Sequence, residues 1–171
     1  MDAGAVENPL PAPLNDEEGE VPDPVAACDS LAGLTNLRDL SFSAAANLLP
    51  GDALALTALT GLTRLVLAHL EHGVGDLAAC ALACSLKQLR HLDLQECDLG
   101  DMVCLAAIAH LTQLTELRLG CTSGFTRQRL MLLTGLTDLQ RLGFCSDEEI
   151  RVEVMDSFWA VLQQQQQQQQ Q

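Results

Sequence analysis

The chain of 171 residues contains no tyrosine, a single tryptophan and four phenylalanines, so aromatics reach only 3%. Any core must therefore be aliphatic, and 48% of the residues are apolar, leucine foremost. No stretch approaches the roughly 18 consecutive apolar residues that a membrane-spanning helix needs. The first twenty residues, MDAGAVENPLPAPLNDEEGE, have neither a basic start nor an apolar run, which argues against secretion. Seven cysteines follow no framework spacing and include no CxxC, so they read as free thiols in a reducing compartment. The motifs of common enzymes are missing too: no GxSxG, no P-loop, no GxGxxG opening a helix after a strand, no HExxH. Secreted, membrane-embedded and disulfide-stapled proteins are thereby disfavoured.

Bases are scarce as well, nine against 23 acids, and the net charge is −14. The excess sits in the flanks. Residues 1–23 carry seven acids and no base, and 147–156 carry five acids and only Arg151, while 24–146 is close to neutral. An acidic chain of this kind repels phosphate backbones, so nucleic acid is not an expected partner. The proline- and acid-rich stretch 1–22 reads as a disordered lead-in whose role is solubility.

What the chain does have is a repeat. Five segments align without gaps: 34–42 (LTNLRDLSF), 59–67 (LTGLTRLVL), 86–94 (LKQLRHLDL), 111–119 (LTQLTELRL) and 136–144 (LTDLQRLGF). Their starts are 25, 27, 25 and 25 residues apart. Apolar residues fill the first, fourth, seventh and ninth places of each, so Leu40, Leu65, Leu92, Leu117 and Leu142 form one column. The seventh and ninth places form an alternating pair, the period of a short strand with one buried face. Six residues before each start stand Cys28, Ala53, Cys80, Leu105 and Leu130; three before stand Leu31, Leu56, Ala83, Ile108 and Leu133. An i, i+3 pair of columns is one face of a short helix. Asp52, Asp76 and Asp101, each after a glycine, and Thr126 are expected to cap those helices, with Asp23-Pro24 opening a first one. The unit is thus helix, turn, strand, loop.

In this pattern the chain resembles the leucine-rich repeat family, whose apolar places one, four, six and eleven, with Asn or Cys at nine, are matched by Leu89, Leu92, Leu94, Leu99 and Cys97. The period is similar to that of the cysteine-containing and ribonuclease-inhibitor-like branches. The ninth place holds Ala45, Leu70, Thr122 and Asp147 elsewhere, so a regular asparagine ladder is not expected. The resemblance implies an α/β solenoid, a horseshoe with parallel strands on the concave face and short helices on the convex face. The expected organisation is a lead-in over 1–22, an array of about five repeats over 23–146, a capping helix over 147–162 and a poly-glutamine tail over 163–171. Ser146 and Glu149 match a capping box, and Ile150, Val154, Phe158, Val161 and Leu162 fall on one face that could close the last strand, with Trp159 beside them. The glutamine run reads as disordered or weakly helical, without a core role, and ending in it points to a fragment of a longer product.

The strand places that face away from the core are free of packing duty. In a parallel stack equivalent residues lie about 4.8 Å apart. That sets Asp39 beside Arg64, Glu116 beside Arg141 and Asp93 beside Arg118, so opposite charges adjoin and much of the face is expected to satisfy itself. The candidate partner-binding residues are Arg64, His91, Asp93, Glu116, Arg118 and Arg141, arginine being suited to bidentate contacts. His69 and His72 form an HxxH, which with Glu71 or His91 is too sparse for a metal site and reads as solvated histidines. Cys28, Cys80 and Cys84 read as small buried hydrophobes, Cys97 as structural, and Cys121 and Cys145 as the candidates for exposed thiols. No catalytic residue, metal or cofactor is expected.

The function expected is therefore a non-enzymatic protein–protein interaction module, cytoplasmic or nuclear, reading a protein partner through its concave strands; no nucleic acid, membrane or small-molecule substrate is evident. The alternative is the substrate-recognition part of a ubiquitin-ligase adaptor of the F-box type, although residues 1–30 leave no room for the F-box module. A thiol- or metal-dependent enzyme comes last.

Overall fold

The structure, a computed structural model, describes residues 31, 33–43, 52–69, 74–97, 99, 102–120, 126–145 and 152–169. Five strands form one parallel sheet in chain order: β1 (Asp39–Ser43), β2 (Arg64–Ala68), β3 (His91–Leu94), β4 (Glu116–Gly120) and β5 (Arg141–Cys145). Between them run a 3-10 helix η1 (Asp52–Ala58) and the helices α1 (Asp76–Ser85), α2 (Met102–Ile108) and α3 (Arg127–Leu132). The last of these tightens into the 3-10 turn η2 (Leu133–Gly135). A longer helix, α4 (Val152–Gln169), follows β5. No described helix is long and apolar enough to cross a membrane.

The register is that of the repeat. Leu40 pairs Leu65, Leu65 pairs Leu92, Leu92 pairs Leu117 and Leu117 pairs Leu142. A one-residue slip would turn this whole leucine column outward, so the buried face fixes the pairing. Leu65, Leu92 and Leu117 are buried, while Leu40 and Leu142, at the two ends, are half-buried. The helical columns meet them from the other side: Ala53 and Leu56 of η1, Leu105 and Ile108 of α2, and Leu130 of α3 with Leu133 are all buried. The core is accordingly a run of leucine and alanine, with Phe158 as its one fully buried aromatic among the described residues.

A hydrogen-bonded joint ahead of each strand holds neighbouring coils in step. The carbonyl of Arg38 accepts the backbone N–H of both Thr63 and Arg64, and that of Thr63 accepts those of Arg90 and His91. Arg90 receives Thr115 and Glu116 in the same way, and Thr115 receives Gln140 and Arg141. The Thr63 and Thr115 hydroxyls add a third bond, to the Arg38 and Arg90 carbonyls, each at 2.9 Å. After the strand, the buried Cys97 thiol donates to the Leu67 carbonyl at 2.9 Å, which ties its loop to the preceding coil. The other ninth-place residues, Ala45, Leu70, Thr122 and Asp147, lie outside the described residues.

Several local expectations are corrected. Gly75, not Asp76, is the N-cap of α1, and no side chain caps it; Asp76 is the first helical residue, where its charge still opposes the helix dipole. Thr126 does cap α3, accepting the Arg129 N–H. Cys84 is exposed and Cys80 only half-buried, because α1 turns Ala78, Ala79, Leu82 and Ala83 to the core instead. Helix α4 does not stop at 162 but runs to Gln169. Gln165 and Gln166 are half-buried, and the Gln166 amide donates to the Thr137 carbonyl, so the glutamine run docks on the last coil. The lead-in, residues 23–30 of the first expected helix, and the Ser146/Glu149 capping box lie outside the described residues.

Candidate functional site

Because successive strand side chains alternate, the residues just before and just after the central leucine of each strand share the face opposite the helices. The first row is Asp39, Arg64, His91, Glu116 and Arg141, laterally paired in that order; the second is Ser41, Val66, Asp93, Arg118 and Gly143. All six candidate binding residues therefore lie on one surface, held in step by the joint carbonyls that precede them.

Their charges are not independent. Arg64 Nη1 meets Asp39 Oδ1 at 3.0 Å, an exposed pair at one end of the row. At the other end Glu116 is a hub. Its Oε1 accepts Arg118 Nε at 3.1 Å and Nη2 at 3.0 Å; its Oε2 faces His91 Nδ1 at 3.2 Å and Arg141 Nη1 at 3.6 Å. Asp93 completes the cluster, with Oδ2 3.7 Å from Arg118 Nη1 and Oδ1 accepting the Gln95 N–H. The three lateral pairs expected from the register are all present, and Arg118 adds a second acid by folding back along its own strand to Glu116.

Around Glu116 the acids lie low and the arginines stand above them. Side-chain exposure is 7% for Asp93 and 17% for Glu116, against 47% for Arg118 and 79% for Arg141. His91 is nearly as covered as Glu116. Burial pushes the Glu116 carboxyl up, but the charge and hydrogen bond of His91, and then those of Arg118, outweigh it. The group is held below its ordinary value of 4.5. Glu116 thus stays ionised and holds His91, Arg118 and Arg141. Over this cluster the face offers guanidinium outward, from Arg118 and Arg141, held from beneath; at the other end Asp39, 61% exposed, lies more open than Arg64 at 44%.

The remaining chemistry-bearing residues are dispersed. His69 Nδ1 sits 2.7 Å from Glu96 Oε2 across the turns that leave β2 and β3. Both residues have positive φ, 60° and 56°, at equivalent places in successive coils. His72 and Glu71 lie outside the described residues, as do Cys28 and Cys121; Cys145 is placed on β5 by its backbone alone. Among the described residues no three of His, Cys, Asp or Glu come together as a metal site would require. A shallow recess of about 610 Å³ lies between the last coil and the glutamine helix, lined by Thr112, Gly135, Thr137, Gln165 and Gln168.

No protein-family model matches the chain, nor does any curated protein. Solved structures do. The chain is similar to leiomodin-1 Actin-Binding Site 2 over 86% of its own length and 91% of the other's, at 20% identity and a TM-score of 0.61. It is similar to the C-terminal domain of tropomodulin from Caenorhabditis elegans over 85% and 95%, at 15% identity and a TM-score of 0.59. Internalin C2 of Listeria monocytogenes matches 70% of the chain and 49% of its own length, at 21% identity and a TM-score of 0.52. At such identities the likeness speaks for the fold alone, and that fold is of the leucine-rich-repeat type.

Proposed function

We propose that the chain is a non-enzymatic protein-interaction module that binds an acidic surface of a partner protein through the strand face. Arg64, Arg118 and Arg141 make the contacts; Asp93 and Glu116, with His91 beside Glu116, hold Arg118 and Arg141 from below, and Asp39 pairs Arg64 at the exposed end. The observation that carries the reading is the layering around Glu116, where Asp93 and Glu116 lie low and the guanidinium groups of Arg118 and Arg141 stand exposed above them. Pre-anchored arginines lose less side-chain freedom on binding than free ones and present a fixed fork to a carboxylate. The sheet is read as the concave side of a short curved solenoid, and the chain as cytoplasmic or nuclear. Seven cysteines without framework spacing support that compartment. The leiomodin-1 domain of similar fold is, by its name, an actin-binding site, which supports a protein as the class of ligand. No observation favours the ubiquitin-ligase adaptor over this simpler reading.

Affinity capture with the full chain, followed by direct binding to each recovered protein and to filamentous actin, tests the proposal. An Arg64→Glu/Arg141→Glu variant is expected to lose its partner, and a Lys87→Glu variant off that face to keep it. An unchanged set of partners for the arginine variant overturns strand-face binding.

A further inference from the structure

Glycine stands at two places in the five strands, and only one of them is dictated by its surroundings. A side chain at Gly120 would run into the backbone of Glu96 and Cys97 in the preceding coil. Gly61 and Gly135, in the turns ahead of β2 and β5, are pinned in the same way: a Cβ there would stand 2.8 Å from the carbonyl oxygens of Thr35 and Ala109. Gly143 differs. Among the described residues only Arg118 Cγ comes within 4 Å of where its Cβ would be, at 3.4 Å, the near limit of ordinary contact. Its φ lies outside the left-handed region, and the register runs through it without a bulge, Arg118 opposite Gly143 and Leu119 opposite Phe144. Crowding, backbone conformation and pairing therefore all leave this place free to carry a side chain.

Glycine weakens a strand interior, and where no bend or bulge explains it, it commonly marks a close approach of a ligand or another backbone. Gly143 occupies the second row of the strand face, lateral to Arg118 and two residues along β5 from Arg141. Arg118 folds back to Glu116 through Nε and Nη2, which leaves its aliphatic stem, not its charge, beside the glycine. The Arg141 guanidinium reaches toward the same carboxylate at 3.6 Å, with 79% of the side chain exposed. The other places of this row carry Ser41, Val66, Asp93 and Arg118. The bare step thus occurs once, next to the carboxylate that two guanidinium groups share.

We propose that Gly143 is the floor of a notch that admits the main chain of an extended, acidic segment of the partner protein. The inference rests on the strand-face reading and adds the residue that selects within it. Charge names the occupant: the exposed groups beside the notch are guanidinium, and the planar fork of arginine matches a carboxylate. About 6.6 Å separates Gly143 from Arg141 along the strand. An Asp or Glu side chain leaving a main chain laid over the glycine spans that gap with one charge-assisted hydrogen bond of about 2.8 Å. A β-branched residue at 143 would fill the step and hold the segment off the sheet.

The test pans a phage-displayed library of random heptapeptides on the full chain and measures the selected peptides, made with a fluorophore, by anisotropy. They are expected to carry Asp or Glu, to lose binding to Arg64→Glu/Arg141→Glu, and to bind Gly143→Val at least tenfold more weakly. Valine is a strong strand former, so the urea midpoint of Gly143→Val is expected to equal or exceed that of the unaltered chain. Gly143→Ala, with one carbon added, is expected to weaken binding less than valine. It leaves the Arg118 Nε–H resonance in place, which separates a filled notch from a displaced arginine. Peptides that fail on the arginine variant but bind Gly143→Val undiminished overturn the notch and leave the strand-face reading standing. Peptides that bind both variants undiminished overturn the two together. Selection of peptides without acids, or of none, overturns the notch as well. So does a urea midpoint that falls in both glycine variants, because Gly143 would then have a structural duty.

Discussion

Glu116 shows how a single side chain organises the strand face. With 17% of its side chain exposed it touches His91, Arg118 and Arg141, and its carboxyl titrates below the ordinary range. A carboxyl whose value is lowered by folding contributes stability that is complete above its unfolded value, near 4.5 here. That contribution disappears as the pH falls through the lowered folded value. Glu116→Gln is therefore expected to lower the urea midpoint at neutral pH and to flatten its fall on the acid side; equal acid sensitivity in both proteins would show that Glu116 is not the anchor. The lateral partners of this cluster were legible in the sequence, because a parallel stack makes equivalent places neighbours. The fold-back of Arg118 to Glu116 was not, since it depends on a rotamer. Nor was the near burial of Asp93, which depends on how its neighbours' side chains lie over the sheet.

At the scale of elements, strands were easier to read than helices. The strand columns recur in all five copies with the same spacing. The helical columns held at Ala53, Leu56, Ala83, Leu105, Ile108, Leu130 and Leu133 but not at Cys80 of α1, where four small or apolar residues, Ala78, Ala79, Leu82 and Ala83, leave several faces open to the core. Alanine packs equally well from more than one angle, so sequence alone could not choose. The closing helix was anticipated from Phe158 and Leu162, which are both buried, but not its length. Glutamine is a fair helix former and cannot nucleate alone; a docked helix supplies the nucleus, and the Gln166 bond to Thr137 fixes the extension. Phe158→Ala removes the one fully buried aromatic of the described core and is expected to cost about 3–5 kcal/mol. Denaturant melts measure this, and far-ultraviolet circular dichroism is expected to lose helix from 152–169 together with it. A loss under 1 kcal/mol would mean that α4 does not close the array.

The whole molecule is a sum of neighbour contacts, and this sets how damage spreads. A coil of about 25 residues cannot bury its own leucine face, so its stability is borrowed from the coils on either side. Three or more coils are needed for an array to hold. A charge in the middle coil leaves two on each side, below that number, whereas a charge in the first coil leaves four. The alternation of helix and strand and the identity of the spine followed from the repeat. The exposure of Leu77 and Val103 did not, because the helix-face pattern names which residues point inward and says nothing of exposed residues in first turns.

Amide hydrogen exchange on two matched variants, Leu92→Asp in the buried middle strand and Leu40→Asp in the half-buried first, tests the shared spine most directly. The account predicts that Leu92→Asp abolishes protection in all five strands, while Leu40→Asp abolishes it in β1 and leaves β3, β4 and β5 protected. Protection lost only in β3 of the Leu92 variant, or equally from every strand in both, would contradict it.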